Sequence, residues 1–100
     1  MGMFENILPT QANTLRHEEN VEVLDVREAH EVAAGKIPNA RHIPLGQLFA
    51  RLNELDSNKT YIVVCHSGGR SALACEWLSE RGFHVKNMVG GMMSWEGEVE

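Results

Sequence analysis

Thr60-Tyr61-Ile62-Val63-Val64-Cys65-His66-Ser67-Gly68-Gly69-Arg70-Ser71 is the stretch from which the rest of the chain can be laid out. The apolar run Tyr61 to Val64 has the branched composition of a strand buried on both faces, and it stops at Cys65. Two glycines follow, and Arg70 and Ser71 open a helical stretch, Ala72-Leu73-Ala74-Cys75-Glu76-Trp77-Leu78. A buried strand thus delivers a thiol to a tight loop that feeds a helix. The first-turn N–H groups of a helix have no partner inside the helix and point outward. A cysteine held over them ionises more readily, because those N–H groups and the helix dipole stabilise the thiolate. Gly68 and Gly69 let successive N–H groups converge into an anion-binding nest, and Arg70 adds a fixed positive charge.

Loop length narrows the chemistry. Four residues separate Cys65 from Arg70, giving Cys-x-x-Gly-x-Arg. A cysteine phosphatase must grip three phosphoryl oxygens around its sulfur and uses a loop one residue longer. The shorter loop suits a single extra sulfur on the cysteine, a persulfide, wrapped by amides. With Cys65-His66-Ser67-Gly68-Gly69-Arg70-Ser71 as the core of the match, the chain closely resembles the rhodanese family of sulfurtransferases. The resemblance extends over nearly the whole chain. Leu24-Asp25-Val26-Arg27-Glu28 is similar to the family's strand-ending Asp-Val-Arg signature. Ala34-Gly35-Lys36-Ile37-Pro38-Asn39-Ala40 with His42-Ile43-Pro44-Leu45 looks like its Gly-His-Ile-Pro-Gly-Ala … Ile-Pro segment. Gly90-Gly91-Met92-Met93-Ser94-Trp95 is like its Gly-Gly … Trp segment. Lys36 stands where the family usually has His, and Asn39 where it has Gly. Asn tolerates a left-handed backbone better than most residues. Each motif is weak alone; in this order, with the loop, they are specific.

Strand and helix signals alternate along the chain. Strands are expected at Phe4–Leu8 (a short edge), Val21–Val26, Arg41–Ile43 (closed by Pro44), Thr60–Cys65 and Phe83–Met88. Helices are expected from Pro9 or Thr10 to His17, Glu28 to Ala34 (with Gly35 as C-cap), Gln47 to Leu52, Arg70 to Arg81 (closed by Gly82) and around Met92 to Glu96. Such alternation with short connections predicts an α/β fold of three layers: a mostly parallel five-stranded sheet with helices on both faces. The resemblance implies the rhodanese-like version of that fold. Ligands of such sheets sit beyond the C-terminal strand ends, where Cys65 falls.

One hundred residues, 43% apolar and 23% charged, suit one globular domain over residues 1–100. The net charge of −5 and the lack of a basic run argue against nucleic acid as a partner. No stretch is long enough to span a membrane. The start, Met-Gly-Met-Phe-Glu-Asn, lacks a signal pattern, and Asn6 stands where a myristoylation motif needs Ser or Thr, so a cytoplasmic protein is expected. Two cysteines ten positions apart suggest neither a disulfide framework nor a metal site.

Weighed singly, Cys65 is read as a nucleophile rather than an inert core cysteine, while Cys75, between Leu73 and Leu78, is read as structural rather than as a resolving thiol. Substrate contacts are expected from His66, Ser67, Gly68, Gly69, Arg70 and Ser71. A cation at a helix start is unfavourable unless an anion sits there, which favours ligand contact for Arg70. Histidine as a residue type suits acid–base work, but His66, as a neighbour of the nucleophile, tends to point outward and offer only its backbone N–H. For Ser67, a hydrogen bond to thiosulfate and a merely solvated hydroxyl stand level. Asp25 and Arg27 read as a pair tying a strand end to its loop, Trp77 as core or half-exposed, and Trp95 as a packing anchor. Histidines 17, 30, 42 and 84 lack metal-ligand spacing.

The function implied is a sulfurtransferase: sulfane sulfur passes from thiosulfate or a persulfide donor to Cys65, then to cyanide, a thiol or a protein acceptor, with no metal or organic cofactor. Two alternatives stay open. One is a non-enzymatic persulfide carrier serving a partner protein. The other is a phosphatase or arsenate reductase of the same fold, which the loop length opposes.

Overall fold

Five parallel strands form the centre of the computed structural model, which describes residues 3–100. The Met1-Gly2 start, and with it the myristoylation reading, lies outside the described residues. In chain order the strands are β1 (Glu5–Ile7), β2 (Val21–Asp25), β3 (Arg41–His42), β4 (Thr60–Val64) and β5 (His84–Met88). They lie side by side as β1-β5-β4-β2-β3. The α-helices are α1 (Pro9–Leu15), α2 (Ala29–Ala33) and α3 (Gly69–Glu80). The predicted α/β architecture is present, with the expected strands each a residue or two shorter.

Successive residues of a strand face opposite sides of the sheet, and β4 shows this cleanly. Tyr61, Val63 and Cys65 join a core with Ala74, Cys75 and Leu78 of α3. Ile62 and Val64 join a second core with Ile7, Ala12 of α1, Ile37 and Met88. Both layers therefore hang on one buried strand. This is why β4 reads as a continuous apolar run rather than an alternating one. Side-chain polar atoms in these layers are paired: the Asp56 N–H, for example, donates to the Tyr61 hydroxyl at 2.7 Å.

Two predicted helices differ in kind. The Gln47–Leu52 region consists of two 3₁₀ segments, Leu45–Gln47 and Phe49–Glu54, with Arg51 out of helical geometry (φ −121°, ψ 20°). The C-terminal segment is likewise a 3₁₀ turn, Gly91–Ser94, rather than a helix from Met92 to Glu96. The tighter i→i+3 turn serves both in short pieces, and the first is interrupted where Arg51 leaves helical geometry. Asn39 has φ +66°, the left-handed conformation anticipated for it, and is the one non-glycine with positive φ among the described residues.

Register brings the site together. Asp25 pairs with Val64 and Leu24 with Val63, so β2 and β4 end level. The Val26 N–H donates to Val64 O at 3.0 Å just beyond. Cys65 therefore emerges beside Asp25-Val26-Arg27, at the C-terminal edge of the central strands. No helix among the described residues is long and apolar enough to cross a membrane.

Candidate active site

The turn from β4 to α3 is built on Gly68. Its φ of +107° is a conformation that L side chains rarely adopt. A Cβ there would sit 3.3 Å from Gly90 N, so the loop packs backbone-to-backbone on the segment after β5. The geometry turns the Gly68 N–H back onto Cys65 Sγ at 3.0 Å. Cys65 itself is 1% exposed, at the floor of the loop.

A second contact comes from the first turn of α3. Ser71, fully buried, lies with Oγ 3.4 Å from Cys65 Sγ and 2.6 Å from Asn87 Oδ1. The Asn87 amide donates in turn to Asn6 Oδ1 at 3.1 Å. In the thiol form the Ser71 hydroxyl donates to Asn87 and accepts the weak S–H donor. In the thiolate form the same proton can turn to the sulfur. A chain of polar contacts thus runs from the sulfur across β4, α3, β5 and β1. Burial pushes the Cys65 thiol up. The Ser71 hydroxyl and the backbone N–H groups of Ser71, Gly68 and Ser67 outweigh that burial and hold the thiol below its ordinary 9.0. Cys75 has no such donors. Burial, and then the neighbouring Cys65 charge, push its thiol up to about 12.

Reactivity should divide the two thiols accordingly. Alkylation by iodoacetamide follows the thiolate fraction. The Cys65 rate should therefore climb with pH and level off below the midpoint of an ordinary thiol, while Cys75 stays unmodified; peptide mapping across about pH 6 to 10 reads both. Ser71→Ala removes the hydroxyl donor. It should move the Cys65 profile to higher pH and slow alkylation at neutral pH about five-fold, the value of one hydrogen bond.

The remaining loop residues divide by what they offer. His66 and Ser67 are exposed and face solvent. The His66 carbonyl accepts the Met93 N–H at 2.9 Å, and the Cys65 carbonyl accepts the Met92 N–H at 2.8 Å. The Gly90-Gly91 turn therefore clamps the loop from behind. Gly91 has φ +58°, and a Cβ on it would lie 2.5 Å from His66 O and 2.6 Å from Cys65 O. Trp95 packs on the second core and its Nε1 donates to Glu98 O, the packing role expected of it.

Arg70 is where structure adds most to the sequence. Its Nη1 and Nη2 donate to Glu31 Oε1 and Oε2 at 2.7 and 2.9 Å, a two-pronged pair between α3 and α2. The anion that relieves the cation at the helix start is a side chain of the protein. The Arg70 guanidinium, then the Glu28 N–H, hold the Glu31 carboxyl down at about 2. Glu31 is placed by the buried Asp25–Arg27 pair. Arg27 Nε and Nη2 grip Asp25, while Nη1 donates to the Glu31 carbonyl at 3.4 Å and Nη2 to the Gly35 carbonyl at 2.8 Å. Asp25 and Arg27 thus have the tying role expected of them, extended to α2. Sequence reasoning missed Glu31 and Asn87. Glu31 carried one signal, an acid three residues after Glu28 at a helix start. Asn87 carried another, an amide at a strand position between the alternating inward residue Val85 and the apolar Met88.

Residues 8–98 match the model of the rhodanese-like domain. The chain belongs to this family. It is 46% identical over 83 residues to "Putative sulfurtransferase YtwF" of Bacillus subtilis, covering 83% of this chain and 81% of that one. It is 34% identical over 96 residues to the thiosulfate sulfurtransferase GlpE of Pseudomonas putida, covering 95% and 87%. A rhodanese-like domain protein of Staphylococcus aureus has a crystal structure that superposes with a TM-score of 0.88 at 36% identity, covering 97% of each chain. Rhodanese-like membership and these relatives support sulfur transfer as the general chemistry. Among the described residues no group of His, Cys, Asp and Glu is arranged to hold a metal ion.

Proposed function

We propose that this rhodanese-like protein transfers sulfane sulfur through a persulfide on Cys65. The observation that carries the reading is a thiol held below its ordinary value by converging donors at the mouth of α3, with a second cysteine nearby that has none. The Cys65 thiolate attacks the outer sulfur of thiosulfate or of a thiol persulfide. A new S–S bond forms, the donor's own S–S bond breaks, and sulfite or a thiolate leaves with the electron pair. Cyanide or an acceptor thiol then attacks the outer sulfur of the persulfide, and the electron pair of the broken bond returns to Cys65. This is covalent catalysis in two steps, and it implies ping-pong kinetics. The donors of the loop contribute because they are already aimed at the sulfur before charge moves.

His66, Ser67, Gly68 and Gly69 take the role of a rim and cradle for the persulfide. Ser71 reaches the sulfur from beneath, and Arg70 borders the donor while remaining held by Glu31. A phosphatase is disfavoured by the four-residue spacing between Cys65 and Arg70. Turnover of thiosulfate and cyanide to sulfite and thiocyanate, with parallel lines in a double-reciprocal plot, tests the enzyme reading. Single-turnover loading without turnover would point to a carrier, and hydrolysis of an aryl phosphate would overturn the proposal.

A further inference from the structure

We infer that Glu31 sets the charge preference of the Cys65 loop, turning it from dianionic donors such as thiosulfate toward low-charge thiol persulfides. The loop's one fixed cation is Arg70, and both its terminal nitrogens donate to Glu31 at 2.7 and 2.9 Å. The pair is half-buried, with side-chain exposures of 36% and 22%. The other charges nearby do not restore a positive field. Arg27 is neutralised by Asp25 at 2.8 Å, and Glu28 adds a further negative charge that acts on Arg70. Asp25, Glu28 and Glu31 against Arg27 and Arg70 leave the surroundings one negative charge in excess before Cys65 ionises. The Glu31 carboxyl, held at about 2, stays charged throughout the neutral range. A dianion approaching the thiolate therefore gains little from Arg70.

The favoured step involves a donor R–S–SH with little charge on R. The Cys65 thiolate attacks the outer sulfur, the Cys65 S–S bond forms, the donor's S–S bond breaks, and RS⁻ leaves with the electron pair, so charge is conserved. The choice of donor rests on the sulfur-transfer reading above. The charge effect does not, and it can be tested without any sulfur transfer.

Glu31→Gln separates the two. Glutamine keeps an oxygen for the Glu28 N–H and for Arg70 but removes the negative charge. Iodoacetate and iodoacetamide have nearly the same size and differ by one charge, so the ratio of their alkylation rates at Cys65 cancels changes in thiol acidity and access. That ratio should rise about three-fold in E31Q, as expected for unmasking one charge at roughly 8 Å in a wet site. Arg70→Gln should lower it. For sulfur loading followed by intact mass, the rate with thiosulfate relative to mercaptoethanol persulfide should rise about ten-fold in E31Q, because thiosulfate carries two charges. An unchanged or lowered alkylation ratio in E31Q, with the fold intact by circular dichroism, overturns the role of Glu31. A raised alkylation ratio with no sulfur loading from either donor, in wild type or variant, overturns the sulfur-transfer reading and the donor preference but leaves the charge role standing. If E31Q does not fold, the Arg70→Gln shift decides: a ratio that stays level or rises shows that charge at this pair does not act on an anion at the sulfur and overturns the inference.

Discussion

Cys65→Ser should lose sulfur loading altogether. Incubation with thiosulfate should add one sulfur atom to the wild-type protein and none to the variant, and cyanide should then strip that atom as thiocyanate. Transfer rates should fall by at least about 10³-fold, because serine removes the nucleophile and offers no S–S bond to form. The loss should be chemical rather than structural. Serine is close in size, and at this position it can accept the Gly68 N–H that now points at Sγ and meet the Ser71 hydroxyl. Circular dichroism and thermal melting should therefore be nearly unchanged. Intact mass reads the outcome directly. A sulfur atom retained by the variant would move the carrier role to Cys75. No gain on well-folded wild type would sink the thiosulfate reading and turn the search to persulfide donors.

Gly91→Ala should be the most damaging of single methyl additions near the site. The new Cβ would stand 2.5 Å from the His66 carbonyl oxygen and 2.6 Å from that of Cys65, and both are backbone atoms with nowhere to go. The residue also has φ +58°, which alanine adopts only with strain. Relief requires opening the 3₁₀ turn and breaking the Met92 and Met93 N–H bonds that hold the back of the loop. The cost should be about 3 kcal/mol, which for a chain of this size lowers Tm by about 15 °C. Below that Tm, Cys65 alkylation should also slow at neutral pH, since a loosened loop no longer aims the Gly68 N–H at the sulfur. Thermal melting alongside the iodoacetamide profile separates the two effects. A Tm within a degree or two of wild type would show that the clamp is not needed.

Much of this was legible from the order of residues. Tyr61 to Val64 could only be a strand buried on both faces, and a strand of that kind requires layers above and below it. Cys65 before two glycines and a helix start placed the thiol at the ligand-binding edge of such a sheet. Asn39 announced its own left-handed backbone. Boundaries and helix type were less legible. The stretch from Leu45 to Glu54 has helical composition, yet it follows Pro44 and breaks at Arg51, and it forms two 3₁₀ segments instead of one α-helix.

Local sequence determined the strand–turn–helix that presents the sulfur, because strand propensity, glycine freedom and the unpaired amides of a helix start all act within a dozen residues. Tertiary structure decided what that sulfur meets. Asn87 is sixteen positions from Ser71, yet β5 lies beside β4 and carries its amide to the Ser71 hydroxyl. Glu31 is thirty-nine positions from Arg70, and the Asp25–Arg27 pair positions α2 so that its carboxylate takes the guanidinium. An arginine beside a candidate nucleophile reads, in sequence, as a charge waiting for a substrate. Whether it is free depends on which carboxylate the packing brings within 3 Å, and Coulomb attraction at that distance does not depend on separation along the chain.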